Sequence, residues 1–120
     1  MAIQEALISV TLTAGADLRT HQFKFVSIDN TGRVALTGNN AHADGVLQNA
    51  PNTGEAATVA ISGLAKVKVA STGITRGTAI GSAANGFVKN AGTNTSILGT
   101  AVVTATDGAV AEILFHPRGA

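Results

Sequence analysis

The chain has 120 residues, a net charge of +1 and charged side chains at only 12% of positions, a field too weak and scattered to draw nucleic acid or an anionic membrane by counterion release. It has no cysteine, which excludes disulfides, thiolate catalysis and Cys-based zinc sites and suits a reducing cytoplasm. Its 45% hydrophobic content includes 22 alanines against 31 Val, Ile, Leu and Phe, so residues 1–120 are expected to form one domain with a thin core, which association between copies would stabilise further.

In chain order, the opening Met1-Ala2-Ile3-Gln4-Glu5 lacks the basic and apolar regions of a secretory signal, and no stretch approaches 18 apolar residues. Within the leader, residues 1–12, Ile8, Val10 and Leu12 alternate with Ser9 and Thr11. That period of two predicts an extended arm, a strand in search of an edge. Beyond it, short apolar runs are cut every eight to twelve residues by turn chemistry: Asn30-Thr31-Gly32, Thr37-Gly38-Asn39-Asn40, Pro51-Asn52-Thr53-Gly54, Ala84-Asn85-Gly86 and Thr106-Asp107-Gly108. This spacing predicts an all-β protein, a small antiparallel barrel or sandwich.

The clearest strand runs from Val59 to Val69. Val59, Ile61, Gly63, Ala65, Val67 and Val69 share one face by parity, and Thr58, Ala60, Ser62, Lys66 and Lys68 the other. Unbroken parity argues against a bulge at Gly63. At the far end, Phe115 is expected to close the last strand, with Pro117 stopping further pairing ahead of a short tail, 116–120.

An internal repeat organises these segments. Gly32, Gly38, Gly45 and Gly54 recur as Gly86, Gly92, Gly99 and Gly108, each pair 54 positions apart, and Val26, Val34, Asn40 and Val59 recur as Ile80, Val88, Asn94 and Ile113. Glycine tolerates the positive φ of tight turns, which gives the repeat a physical reason. Two similar modules follow, 18–61 and 74–115, joined by the Gly63–Gly73 segment and expected to pair about a pseudo-twofold axis.

Chemistry-bearing residues are few. His21, His42 and His116 hold no metal-ligand spacing, and the seven carboxylates form no readable acid–base pair. His42 and Asp44 lie close in sequence, but their loop reads as Asn and Asp satisfying their own backbone. Gly77-Thr78-Ala79-Ile80-Gly81 lacks the lysine and following helix of a phosphate loop. The only rings, Phe23, Phe25, Phe87 and Phe115, sit in strand-like contexts and offer no stacking platform. No catalytic residue, metal or cofactor is expected, and no enzyme. Lys66 and Lys68 read as a solvated strand face guarding an edge, or as charges that meet acidic groups on a partner.

Leu12-Thr13-Ala14-Gly15-Ala16-Asp17-Leu18 with Gln22-Phe23-Lys24-Phe25-Val26 resembles the opening of capsid cement (head decoration) proteins of tailed bacteriophages. The run from Asp44 to Pro51, its continuation through Gly54-Glu55-Ala56-Ala57-Thr58-Val59 to Gly63-Leu64-Ala65-Lys66-Val67, and the later Ile97-Leu98-Gly99-Thr100-Ala101 and Ala111-Glu112-Ile113-Leu114 resemble the same family. The resemblance covers nearly the whole chain; the tail from Phe115 extends beyond it. It implies a homotrimer on the outer surface of the phage head, made in the host cytoplasm, that bridges neighbouring major capsid proteins. On that reading Ile3, Gln4, Leu7, Ile8, Val10 and Leu12 of the leader are the expected capsid contacts, added as a strand to a capsid edge. The competing expectation is a small-ligand or glycan-binding β-barrel, which the absence of Trp and Tyr serves poorly.

Overall fold

The computed structural model describes residues 8–92 and 96–117. Nine strands carry the fold: β1 (Ile8–Ala14), β2 (Phe25–Ile28), β3 (Arg33–Leu36), β4 (Gly45–Leu47), β5 (Ala56–Lys68), β6 (Ala79–Ser82), β7 (Val88–Asn90), β8 (Gly99–Ala101) and β9 (Val110–Phe115). Among the described residues the sole helical element is a 3-10 turn, Ala84–Gly86. The all-β expectation holds.

The strands form one mixed sheet in the order β1-β3-β2-β4-β5-β9-β8-β6-β7. Among the described residues all strand pairs are antiparallel except β1 with β3, which run parallel through Thr13–Arg33 and Ala14–Val34. Because β1 also pairs antiparallel with β5, the ladder leads from β1 through β3, β2, β4 and β5 back to β1. We call this circuit the first unit. The second unit comprises the end of β5 with β9, β8, β6 and β7, and a parallel bridge from Val69 to Val88 returns it on itself.

The 54-residue repeat is written into the strand register. Val26 faces Leu36 as Ile80 faces Asn90, Phe25 faces Val46 as Ala79 faces Thr100, and Leu47 faces Val59 as Ala101 faces Ile113. It also takes in the leader, which the sequence placed outside it. The amides of Ala14 and Gly15 donate to the Glu55 and Val34 carbonyls, as those of Val69 and Ala70 donate to Ala109 and Val88. The 63–69 stretch therefore does for the second unit what β1 does for the first, and from Ile8 onward the leader is a strand of the sheet.

The repeated glycines serve two purposes. Gly32, Gly54, Gly86 and Gly108 hold φ between 77° and 83°, the left-handed turn conformation. Gly45 and Gly99 are kept for space. A Cβ on Gly45 would stand 2.6 Å from the Ala60 carbonyl oxygen, and one on Gly99 would collide with that of Leu114.

Each unit has its own core. Leu18, Val26, Val34, Leu47, Ala57 and Val59 fill the first, and the second is built on residues such as Ile80, Val88, Leu98, Ile113 and Phe115. Phe25, Val46 and Ala60 lie on the outward faces of β2, β4 and β5, yet they belong to the second core, because the second unit packs on that face. Phe25 and Phe115 meet with ring centroids 6.0 Å apart.

This packing corrects the parity of the long strand. Ala60, expected on the wet face, is fully buried, and Ile61, expected inward, is 36% exposed. Ala60 is covered by the second unit, and Ile61 is the extra residue of a bulge, since Ile8 pairs with Ser62 and Ser9 with Ala60. Pairing with β9 runs unbroken from Gly63 to Lys68, so Gly63 is not the bulge. A pseudo-twofold would bury Ile61 against Ala79 as Phe115 is buried against Phe25. Ile61 is instead exposed, so the contact between the units is one-way.

Candidate interaction surface

Of the residues expected to contact a capsid, Ile3, Gln4 and Leu7 lie outside the described residues. Ile8 is 57% exposed and Val10 37% exposed on β1. Leu12 is half-buried, packs against the first core and faces Ala57. On its β5 side β1 is paired from Ile8 to Thr13, but on the other side it meets β3 only at Thr13 and Arg33 and at Ala14 and Val34. Among the described residues, the backbone groups of residues 8–12 have no strand partner on that side and present an open edge beyond the β2–β3 turn.

Sequence reasoning missed two apolar residues near that edge, Ile28 and Ile61, and a third, Leu114, on the second unit. Ile28 is 47% exposed and, by parity with Val26, faces into the mouth of the first unit; Val10, opposite Val59, and Ile61 stand at the same end. On the outward face of the second unit, Leu114 is 41% exposed and pairs with the half-buried Leu64 and Thr100. The signal for Ile61 was hidden, because simple alternation assigns it to the core.

Lys66 is exposed and sits opposite Glu112 of its own chain, while Lys68 is half-buried opposite Val110, its amide bonded to the Phe23 carbonyl. An acid from the same sheet already neighbours Lys66. His42 Nε2 and Asp44 Oδ1 are 3.9 Å apart on the surface, and the other Asp44 oxygen accepts the Ile28 amide at 2.8 Å. That is the backbone-satisfying role expected of this loop.

The most unusual polar group is Lys24, which is 6% exposed. Its Nζ donates to His21 Nδ1 at 2.8 Å and stands 4.2 Å from the centre of the Phe87 ring, a cation–π contact between the units. Burial, followed by the charge of Lys68, pulls the Lys24 pKa below the ordinary lysine value. Burial and then Lys24 pull His21 below the ordinary histidine value.

Both shifts act with one sign. Below pH 6.5 the unfolded His21 takes up a proton before the folded one does, so stability falls as pH drops from there to the folded pKa. Between the folded Lys24 pKa and 10.5 the unfolded chain holds the extra proton, so stability rises with pH. Urea midpoints measured at pH 5.5, 7.5 and 9.5 are expected to increase in that order. Lys24→Met removes a buried charge whose contacts are a ring and an imidazole, and is expected to leave stability unchanged or raise it by about 1 kcal/mol. A loss of about 2 kcal/mol or more in thermal unfolding would contradict that account.

Asp17 and Arg19 form an exposed pair at 2.9 Å, and hydrogen bonds from the Arg19 side chain hold the Asp17 pKa down at about 2. Among the described residues no three His, Asp or Glu groups converge as a metal site would require, and no helix is long and apolar enough to cross a membrane.

No family model matches the chain, and no curated protein matches it. Among solved structures, it is similar to the head fiber gp8.5 N base in bacteriophage phi29. The TM-score is 0.74 at 16% sequence identity, covering 92% of this chain and 94% of that one. At that identity the likeness is one of fold, and it extends over nearly the full length of both chains.

Proposed function

We propose that this chain is a structural virion protein of a tailed bacteriophage, a capsid cement protein and not an enzyme. It binds the outer surface of the head as a homotrimer, bridges neighbouring major capsid proteins, and is made in the host cytoplasm. The observation that carries this reading is the shared fold with a phage head fiber base, end to end along both chains. It agrees with the resemblance read independently from the sequence between Leu12 and Leu114.

The capsid contact is assigned to the leader, with Ile3, Gln4, Leu7 and Ile8 adding a strand to a capsid edge. The open backbone edge of β1 and the exposure of Ile8 support this assignment. Each contact is small, and many copies linked as trimers turn weak contacts into a stable lattice.

Co-sedimentation with expanded phage heads tests the reading. The full chain is expected to bind. Deletion of residues 2–8 is expected to leave a folded trimer whose head binding is weakened by about tenfold or more, because the β-augmenting strand is gone. Equal binding by the deleted protein would sink the leader assignment, and no binding by the full chain would sink the cement reading.

A further inference from the structure

We infer that the chain associates head to tail with copies of itself, the open end of the first unit seating on the outward face of a neighbour's second unit. Within one chain this contact is made once. The end of the second unit, with Phe115 and Leu98, packs on the outward face of the first, with Phe25, Val46 and Ala60. Since the units are repeats, both halves of that contact occur a second time, and among the described residues neither is covered.

The uncovered end belongs to the first unit. Ile61 stands where the second unit has Phe115 and Ile28 where it has Ser82, and Val10, opposite Val59, where it has Ala65, opposite Ile113. The second unit's three are all buried, at 0%, 0% and 1% exposure, whereas Ile61, Ile28 and Val10 are 36%, 47% and 37% exposed. The uncovered face belongs to the second unit. There Ala79, Thr100 and Leu114 replace Phe25, Val46 and Ala60, and Leu114 is 41% exposed where Ala60 is fully buried.

The turn between the first two repeated strands tells the same story independently. In the second unit a Cβ on Gly86 would lie 2.6 Å from the Phe25 carbonyl oxygen of the first; on its counterpart Gly32 it would meet nothing within 4 Å. Asp44 occupies the place of Leu98 and makes the open end more polar than its counterpart, but one of its oxygens is already engaged by the Ile28 amide. The occupant that fits is therefore a second copy, because the chain already contains the matching surface and uses it once internally.

Such an interface is heterologous, and copies joined this way close into a ring or continue as a filament. That the ring closes at three copies rests on the proposed trimer; the contact itself does not.

Ile61→Asp alters only the end and Leu114→Asp only the face. By light scattering, wild type is expected above the 11.9 kDa of one chain. Each variant alone is expected to be monomeric, with an unchanged far-UV spectrum and self-association weakened by about 100-fold, as for loss of a central interface residue. An equimolar mixture is expected to form a complex of just two chains, since each variant keeps the half the other has lost. Monomeric wild type, oligomeric variants, or a mixture that stays monomeric would each overturn the inference. Association without head binding would leave this contact standing while the cement reading fell.

Discussion

Gly99→Ala and Gly45→Ala are each expected to lower stability by about 3 kcal/mol or more, among the larger effects of any single substitution. The cost is steric. An added methyl at Gly99 drives into the Leu114 carbonyl, and one at Gly45 into the Val59 side chain and the Ala60 carbonyl. The obstacle includes backbone of the paired strand, so relief requires β8 to part from β9, or β4 from β5. At about 4 °C per kcal/mol for a chain of this length, melting should fall by about 12 °C or more. Gly38→Ala is the control: a Cβ there meets nothing within 4 Å, and a change within about 0.5 kcal/mol is expected. Calorimetry of the three variants decides the matter. A Gly99→Ala protein as stable as the control would mean that these glycines are not spacers.

Phe115→Ala is expected to cost about 3–5 kcal/mol, the usual price of emptying a buried aromatic site. Phe115 is fully buried, lies between Gly63 and Gly99 on the neighbouring strands, and joins the two units through Phe25. The flanking glycines carry no side chain that could collapse into the space. Against a total of about 5–15 kcal/mol for a domain, the loss is large. Ile61→Ala, its counterpart in the repeat, removes a side chain that is 36% exposed and should cost the isolated chain about 1 kcal/mol or less. Denaturant midpoints for the pair measure the asymmetry directly; equal losses would mean that Ile61 is covered within its own chain.

The turns were legible in the sequence because their chemistry is local. Asp29 accepts the Thr31 and Arg33 amides and the Thr31 hydroxyl, the work expected of an Asp at a turn. Gly32 and Gly54 take the positive φ for which glycine is suited. The candidate surface was legible only in part. Ile8 and Val10 were found by alternation, whereas Leu12, in the same alternating series, is drawn into the first core by Ala57 and Val59. Ile28, Ile61 and Leu114 escaped notice because their exposure depends on which unit covers which. A period of two in the sequence distinguishes the faces of a strand, not what lies across from them.

By itself the sequence determined the strand class, the turn positions and the 54-residue repeat, since each follows from short-range sterics and from glycine spacing. Only the tertiary structure decided that β1 belongs to the repeat, that β5 serves both units, and that Ala60 is buried while Ile61 is exposed. These depend on pairings between distant residues. They depend also on a one-way contact: two nearly equivalent surfaces have different neighbours, and among the described residues only one of them is covered.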